Sequence, residues 1–250
     1  MNNAMKGGNN RVVSLLHRVR KEKDSQGSSG RLITLLRPSD AASEAYRTLR
    51  TNLLFHSVSD VQRNIVVLTS PGPREGKSIT CANLGVVLAQ AGRRTLLVDC
   101  DLRKPVLHKM FGQRNLQGLM NVLAGERTLQ EVVHEPLENL EVLSAGPMPP
   151  NPAEVLSSQR FAEFCDQARQ QYDYVLVDAP PTRSVSDPVI LASLGDATLL
   201  VVDAQNTRKA YVRKAVHDLR AVGANVIGTV MNNVKGYRED RPYYEYYIHK

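Results

Sequence analysis

Residues 71–78 combine a lysine and a hydroxyl side chain in a segment that can bind phosphate. The segment reads Pro-Gly-Pro-Arg-Glu-Gly-Lys-Ser, follows an apolar run and precedes a helix-like stretch over residues 79–91. A loop between a strand and a helix that ends in Gly-Lys-Ser holds phosphates with its backbone N–H groups, its lysine and the helix N-terminus. The sequence therefore predicts a nucleoside triphosphate site at Gly76, Lys77 and Ser78.

The start of this loop departs from the common pattern. That pattern has a glycine six residues before the lysine, where this chain has Pro71, and Gly72 comes one residue later. Pro71 and Pro73 have no N–H to donate, and Arg74 stands where a glycine would fit more easily. The phosphate contacts are therefore predicted at the residues that follow, namely Arg74, Glu75, Gly76, Lys77, Ser78 and Ile79.

Three aspartates follow two apolar segments, residues 95–99 and 174–178, that read as buried strands. Asp99 and Asp101 come at the end of the first strand, and Asp178 ends the second. In an open parallel sheet, ligands bind beyond the carboxyl ends of the strands, so these carboxylates should converge on the phosphate-binding loop. Carboxylates repel a triphosphate unless a hard cation lies between them, so Mg²⁺ is predicted. The alternative for each aspartate is that it caps the following helix.

Apolar runs alternate with helical patterns along the chain, which is typical of a parallel sheet covered on both faces. The fold class predicted is α/β, with a doubly wound, mostly parallel sheet, helices on both faces and a phosphate-binding loop with deviant Walker motifs. A helix should begin after Pro38-Ser39-Asp40 and run to about Phe55. Strands are expected near residues 64–69, 95–99, 140–144, 174–178, 197–203 and 225–231.

Composition favours one sizeable domain in a reducing compartment. The chain has 250 residues, of which 42% are hydrophobic, enough for a proper core. The three cysteines have neither metal-site nor disulfide spacing, which fits the cytosol. No run of about 18 apolar residues occurs, so membrane association would require a partner or a charged surface.

The predicted organisation has three parts. Residues 1–36 form a basic, flexible arm with seven basic and two acidic residues; it is either a solvated tail or a segment attracted to an anionic membrane. Residues 37–234 form the nucleotide-binding domain, whose first helix lies in residues 37–57. Residues 235–250 form a tail that contains five of the nine tyrosines: Tyr237, Tyr243, Tyr244, Tyr246 and Tyr247. These tyrosines are phosphoacceptors or, alternatively, an aromatic patch for packing.

Four segments together carry a family resemblance. They are Glu44-x-x-Arg47-x-x-Arg50 in the first helix, the loop at residues 71–78, the aspartate segment at residues 98–105 and the strand end at residues 172–181. The chain resembles the cytoplasmic bacterial tyrosine kinases of capsular and exopolysaccharide synthesis, from about Pro38 to its C-terminus.

The resemblance implies an ATP- and Mg²⁺-dependent protein-tyrosine autokinase. By this resemblance the protein forms an octameric ring through the helix that carries Glu44, Arg47 and Arg50. Each tail would then be phosphorylated by the neighbouring subunit. The resemblance also implies a membrane-bound polysaccharide chain-length regulator as activator, a cognate phosphotyrosine phosphatase, no nucleic-acid partner, and a place at the inner face of the plasma membrane. A solvated charged helix face is the ordinary alternative for the three charged residues.

Phosphoryl transfer assigns a role to each site residue. Lys77 should stabilise the β- and γ-phosphate oxygens, while Ser78, Asp99 and Asp178 should hold Mg²⁺ directly or through water. Asp101 is the predicted base for the tyrosine hydroxyl, whose ordinary pKa is about 10.

Two asparagines after the last strand, Asn232 and Asn233, are candidates for contact with adenine or for loop capping.

A partition or site-selection ATPase of the same fold is the alternative function. Such ATPases have a signature lysine near the start of the loop, where this chain has Gly72. They also lack the Glu44-x-x-Arg47-x-x-Arg50 helix and the tyrosine-rich end, so the sequence favours the kinase.

Overall fold

The computed structural model describes residues 32–56 and 64–235, which form one seven-stranded sheet with helices around it. The strands are β1 (Ile65–Thr69), β2 (Thr95–Asp99), β3 (His134–Leu137), β4 (Leu140–Leu143), β5 (Tyr174–Asp178), β6 (Ala197–Asp203) and β7 (Val226–Asn232). The helices are α1 (Ile33–Leu36), α2 (Ala41–His56), α3 (Lys77–Gln90), α4 (Leu107–Met110), α5 (Leu119–Ala124), α6 (Leu129–Val132), α7 (Pro152–Leu156), α8 (Gln159–Gln171), α9 (Asp187–Leu194) and α10 (Lys209–Ala221).

The sheet has the order β3-β4-β2-β5-β1-β6-β7 and is parallel except for β3, which runs antiparallel to β4. This order confirms the doubly wound, mostly parallel α/β fold. It places β1, β2 and β5 side by side, so the phosphate-binding loop after β1 lies next to the aspartates after the other two strands. Strand β3 was not predicted, because its sequence His-Glu-Pro-Leu has a central proline and only two buried residues.

Helices cover both faces of the sheet because the central strands are apolar on both sides. In β1, Val66 and Leu68 face a core shared with α2, α3 and α4, whereas Ile65 and Val67 face a second core shared with α5, α8 and α9. Strand alternation produces this division. The apolar runs that the sequence analysis read as buried strands are therefore buried on both faces, as parallel sheets require.

The beginning of the described chain differs from the prediction. Residues 32–36 were assigned to the flexible arm, but Leu32 is only 1% exposed and α1 follows it directly. Thr34 donates hydrogen bonds from its backbone N–H and its hydroxyl to Oδ1 of Asn83, at 3.1 and 2.8 Å. The apolar sequence Leu-Ile-Thr-Leu-Leu packs against α3, so the arm as predicted was too long by at least five residues.

The first predicted helix is confirmed as α2. It begins after Asp40, whose carboxylate accepts a hydrogen bond from the backbone N–H of Ala42 at 2.9 Å. The rest of the basic arm and the five tail tyrosines lie outside the described residues. Among the helices of the described ranges, none combines the length and the apolar character needed to span a bilayer.

Candidate functional site

A cleft of about 670 Å³ opens where the phosphate-binding loop meets the ends of β2 and β5. Its walls come from three loops that follow parallel strands. The lining residues are Pro73, Arg74, Gly76, Lys77, Ser78, Ile79, Asp101, Arg103, Lys104, Val106, Met110, Pro180, Pro181, Ser184 and Val185. A cleft at the carboxyl edge of a parallel sheet is the usual position for a ligand in this kind of fold.

The phosphate-binding loop has two residues in the left-handed region. Gly76 has a φ of 93°, and a Cβ atom there would lie 2.3 Å from Nδ2 of Asn232. Only glycine can therefore occupy this position without displacing Asn232. Arg74 has a φ of 65°, which confirms that a non-glycine residue holds a glycine-like conformation at this point of the loop.

The Glu75 side chain does not line the cleft and instead forms hydrogen bonds that hold the phosphate-binding loop against the end of β6. Its Oε1 accepts a hydrogen bond from the backbone N–H of Gly72 at 2.7 Å. Its Oε2 accepts from the backbone N–H of Asp203 at 2.9 Å and from the hydroxyl of Thr207 at 2.7 Å. The carboxylate, in a side chain that is 6% exposed, thus joins the loop to the end of β6. A nucleotide contact through the backbone of Glu75 stays a prediction.

Lys77 lies between two of the predicted aspartates. Its Nζ is 3.0 Å from Oδ2 of Asp101 and 3.3 Å from Oδ1 of Asp178, and it also donates to the hydroxyl of Ser78 at 3.2 Å. Burial opposes the charge of Lys77, but the surrounding carboxylates outweigh it and raise the pKa above the usual value. The side chain is therefore a fixed positive charge at the base of the cleft.

Asp99 has one oxygen in use and one without a partner. Oδ2 accepts hydrogen bonds from the backbone N–H groups of Val106 and Leu107, both at 2.9 Å. This is the capping role considered as the alternative, since Leu107 begins α4. Oδ1 is buried and has no hydrogen-bond partner within the described chain. Burial and the nearby charge of Asp178 raise the pKa of Asp99 well above its usual value.

Asp178 is fully buried and has a second oxygen, Oδ2, without a hydrogen-bond partner in the described residues. Burial raises the pKa of its carboxyl, while the Lys77 ammonium and the Ser78 hydroxyl act in the opposite direction. Two buried carboxylate oxygens without partners, near a serine hydroxyl, suit a divalent cation with oxygen ligands. Within the described ranges no cluster of three or more His, Cys, Asp or Glu forms a cage, so phosphate and water would supply the remaining ligands of Mg²⁺.

Asp101 lines the cleft beside Lys77. Its Oδ1 accepts from the backbone N–H of Lys104 at 3.1 Å, which holds the carboxylate in place while Oδ2 faces the ammonium. The structure therefore brings together Lys77, Ser78, Asp99, Asp101 and Asp178, as the sequence placed them; their catalytic and metal-binding roles stay predictions.

The two asparagines after β7 have partners within the protein. Asn232 donates from Nδ2 to the carbonyl oxygen of Glu75 at 2.9 Å and to the hydroxyl of Thr80 at 3.4 Å. Asn233, with a φ of 56°, donates from Nδ2 to Oδ2 of Asp203 at 2.9 Å. Their capping role is thus visible, and adenine contact stays a prediction for both.

The charged residues of the proposed oligomerisation helix also have partners within the chain. Arg47 pairs with Glu44 and donates to the carbonyl oxygen of Pro38 at 2.8 Å. Arg50 donates from Nη1 to the carbonyl oxygen of Val87 in α3 at 3.1 Å. Contacts of these three residues across a subunit interface stay a prediction.

Two arginines in the loops that form the cleft had no predicted role. Arg103 lines the cleft and donates from Nε to Oδ2 of the buried Asp187 at 3.1 Å, which ties the loop after β2 to the start of α9. Arg183 stacks on the ring of Tyr211 in α10 at 3.6 Å. The available signal for Arg103 was its position two residues after Asp101. The partners of the two arginines, Asp187 and Tyr211, are 84 and 28 residues away in sequence, and no local pattern indicates them.

The fold and the cleft define a nucleotide-binding protein of the phosphate-binding-loop class. A family model described as an AAA domain matches residues 63–227. The chain is 41% identical over 218 residues to the tyrosine-protein kinase YwqD of Bacillus subtilis (strain 168), covering 87% of this chain and 91% of that protein. Several other curated relatives are longer, and the chain spans 26–32% of their length.

Solved structures agree with this similarity. The kinase domain of the Escherichia coli tyrosine kinase ETK superposes with a TM-score of 0.77 at 32% identity, covering 81% of this chain and 80% of that one. The septum site-determining protein MinD from Pyrococcus horikoshii OT3, in complex with Mg-ADP, gives a TM-score of 0.58 at 25% identity, covering 71% and 72%. This chain belongs to the bacterial tyrosine-protein kinase family.

Proposed function

We propose that this protein is an ATP-dependent protein-tyrosine autokinase that phosphorylates the tyrosine cluster of its own C-terminal tail. The observation that carries the proposal is the position of Lys77 between Asp101 and Asp178, at the base of a cleft beside the phosphate-binding loop. Membership of a family whose relatives are named tyrosine-protein kinases supports the same reaction. Five tyrosines in the last 14 residues supply acceptors on the chain itself.

Each of these cleft residues has a separate role in phosphoryl transfer. Lys77 binds the β- and γ-phosphate oxygens, and the backbone N–H groups from Arg74 to Ser78 orient them. Asp101, at the wall of the cleft, accepts the proton of the incoming tyrosine hydroxyl. Ser78, Asp99 and Asp178 would hold Mg²⁺, and the ion would supply positive charge to neutralise the phosphates.

The decisive experiment is incubation of the full chain with Mg²⁺-ATP, followed by mapping of phosphorylated residues. Tail phosphotyrosine is expected in the native protein and should be lost in Lys77→Met and Asp101→Asn. Lys214→Met is the matched control, because Lys214 is exposed on α10 and, among the described residues, pairs only with the neighbouring Asp218. Release of phosphate from ATP with unmodified tyrosines would instead indicate an ATPase of the partition or site-selection type.

The same proposal includes assembly into a ring, with each tail entering the site of a neighbouring subunit. The support is the family membership and the charged helix with Glu44, Arg47 and Arg50. Each phosphotyrosine adds about −1.5 to −2 charges, so five reverse the formal charge of +7 and should loosen the ring. Light scattering of the phosphorylated protein and of a variant with five tail tyrosines changed to phenylalanine tests this; equal mass in both would contradict it.

We further propose that a membrane-bound polysaccharide chain-length regulator activates the protein and places it at the inner face of the plasma membrane. The regulation of capsular or exopolysaccharide synthesis and reversal by a phosphotyrosine phosphatase belong to the same proposal. Self-labelling by the purified chain should be weak and should increase when the cytoplasmic end of the regulator is added. Strong labelling without any partner would contradict this dependence.

A further inference from the structure

A second cavity, of about 660 Å³, lies between α10 and β7 at the edge of the sheet, apart from the nucleotide cleft. Its lining is apolar where Val202, Val212, Val216 and Met231 meet. Met231 is 59% exposed, although it is large and apolar and belongs to a strand. We call this cavity the α10–β7 groove.

One rim of the α10–β7 groove is basic. Lys209, Arg213, His217 and Arg220 all line it and are all exposed. They occur at i, i+4, i+8 and i+11 of one helix, so they project along one side of α10. Lys209, Arg213 and Arg220 form no ion pair with other residues in the described part of the chain.

The acidic residues nearby are already engaged. Asp203 lines the upper end of the groove, which is the end where β6 and β7 terminate. Its carboxylate accepts hydrogen bonds from the backbone N–H groups of Gln205 and Asn206 and from Nδ2 of Asn233. Asp218, on α10 itself, pairs with Lys214 at 3.0 Å. The positive charges of the rim are therefore left available to a ligand from outside.

An apolar floor beside several cationic groups suits a ligand with an aromatic ring and a strong negative charge. Phosphotyrosine has both parts, because its ring can lie on the valines and methionine while its phosphate takes charge-assisted hydrogen bonds from arginine. A simple carboxylate ligand would use the rim only, and an uncharged aromatic would use the floor only.

The chain itself supplies such a ligand next to the groove. The described structure ends at Lys235, and Asn233 is held at the upper end by its bond to Asp203 and by a hydrogen bond from Nε2 of Gln205 to its carbonyl oxygen at 2.6 Å. The 15 residues that follow can extend to about 50 Å, whereas α10 is about 20 Å long. The tail can therefore reach every position along the basic rim.

Spacing and charge favour this segment over the other end of the chain. Lys209 and Arg213 lie about 6 Å apart along the helix, and residues two apart in an extended peptide are about 6.5–7 Å apart. Tyr244 and Tyr246 have that separation. Residues 236–250 carry three acidic and three basic residues, so phosphates make them acidic, whereas the N-terminal arm has a surplus of positive charge and would be repelled.

We propose that the α10–β7 groove binds the phosphorylated tail of its own chain, with phosphotyrosines 244 and 246 against Arg213 and the neighbouring cations of the rim. The inference depends on the proposed function only in that the kinase reaction is the source of the phosphates. Binding in the groove removes a phosphorylated tail from the catalytic cleft, so it acts as a product trap. It also gives a structural purpose to a basic helix face that the nucleotide site does not use.

The test uses the full chain with its five tail tyrosines changed to phenylalanine, so that its own tail cannot be phosphorylated. A fluorescent synthetic peptide that copies residues 236–250, with phosphate on Tyr244 and Tyr246, is titrated by fluorescence anisotropy. Saturable binding is expected, and the peptide without phosphate should bind at least about tenfold more weakly. The double change Lys209→Ala and Arg213→Ala should weaken binding to a similar extent, while Lys214→Ala on the same helix should leave it unchanged.

Three results would overturn the proposal. Displacement of the peptide by excess Mg²⁺-ATP would place it in the nucleotide cleft, and equal binding of a phosphopeptide with scrambled sequence would indicate general charge attraction. Loss of binding to phosphatidylglycerol vesicles in the double variant, with unchanged peptide binding, would make the groove a membrane-facing surface. Because the phosphates are synthetic, peptide binding can succeed even when phosphosite mapping of the native chain finds no kinase activity, so the two proposals fail separately.

Discussion

Asn232 at the end of the last strand donates a hydrogen bond to the carbonyl oxygen of Glu75 in the phosphate-binding loop, at 2.9 Å. The two residues are 157 positions apart in sequence. The same amide lies where a side chain at Gly76 would have to go, so asparagine and glycine fit each other at this point. The end of β7, from which the tail leaves, is thus in direct contact with the loop that binds phosphate.

Asn232→Ala should weaken nucleotide binding without unfolding the protein. The loop would lose a hydrogen bond that orients the Glu75 carbonyl, and the adjacent N–H groups would be less well positioned for phosphate. We expect an increase of about tenfold in the Kd of Mg²⁺-ATP, measured by calorimetry, if the bond contributes about 1.4 kcal/mol. Asn225→Ala is the control, because that amide lies before the opposite end of β7 and donates to the carbonyl oxygen of Asp196. Equal affinities of native and Asn232→Ala protein would mean that the contact is irrelevant to binding.

Glu75→Ala should destabilise the fold as well as the loop. The change leaves the N–H groups of Gly72 and Asp203 and the hydroxyl of Thr207 without their acceptor in a buried place. Unsatisfied buried donors cost about 1–3 kcal/mol each, and partial access of water reduces the sum, so a loss of about 3 kcal/mol in the free energy of unfolding is expected. Urea denaturation measures it.

Glu154 supplies the matched control, because it is exposed and its carboxylate, within the described residues, accepts only from Nδ2 of the nearby Asn151. Glu154→Ala should change the free energy of unfolding by less than about 0.5 kcal/mol. A similar small effect in Glu75→Ala would show that the carboxylate does not brace the loop.

Asp99→Asn should stabilise the protein, increasingly so as the pH rises. Burial and Asp178 raise the pKa of Asp99 in the folded protein, so the folded state binds the proton more tightly than the unfolded chain. The protonated carboxyl of Asp99 therefore contributes stability below a pH of about 4. This contribution is lost progressively as the pH rises towards the pKa of Asp99 in the folded protein. Asparagine carries no such charge, and its oxygen can still accept from Val106 and Leu107.

Thermal unfolding at pH 5 and pH 8 tests this expectation. The difference in Tm between Asp99→Asn and the native protein should be larger at pH 8, while the proposed kinase activity should fall because a proposed Mg²⁺ ligand is lost. Asp166→Asn, at an exposed position of α8, should give the same difference at both pH values. A difference in Tm that shrinks at pH 8 would show that the charge of Asp99 is well tolerated.

Local sequence was sufficient for the sheet and for the placement of the site, because both depend on short patterns. Apolar runs predicted six of the seven strands, and the rule that ligands bind at the carboxyl ends of parallel strands placed Asp101 and Asp178 near Lys77. Strand β3 was missed because a short edge strand needs no apolar alternation, only a neighbour such as β4.

Contacts between distant parts of the chain could not be predicted in this way. The side chain of Glu75 reads as part of the phosphate-binding loop, yet it bonds to residues 128 and 132 positions away. The bond of Arg103 to Asp187 and the stacking of Arg183 on Tyr211 depend equally on how the loops after different strands meet. No periodicity of the sequence contains that information.

Arg74→Gly should stabilise the protein, since Arg74 holds a φ of 65° that costs a non-glycine residue about 1–2 kcal/mol. Arg74→Ala is the matched variant, because it removes the same side chain but keeps the strained backbone. We expect Arg74→Gly to be more stable than Arg74→Ala by about 1 kcal/mol in urea denaturation, after the greater freedom of glycine in the unfolded chain is subtracted. If the glycine variant is the less stable of the two, the loop holds this conformation without strain. If the two variants bind Mg²⁺-ATP equally and more weakly than the native protein, the guanidinium itself contacts the nucleotide.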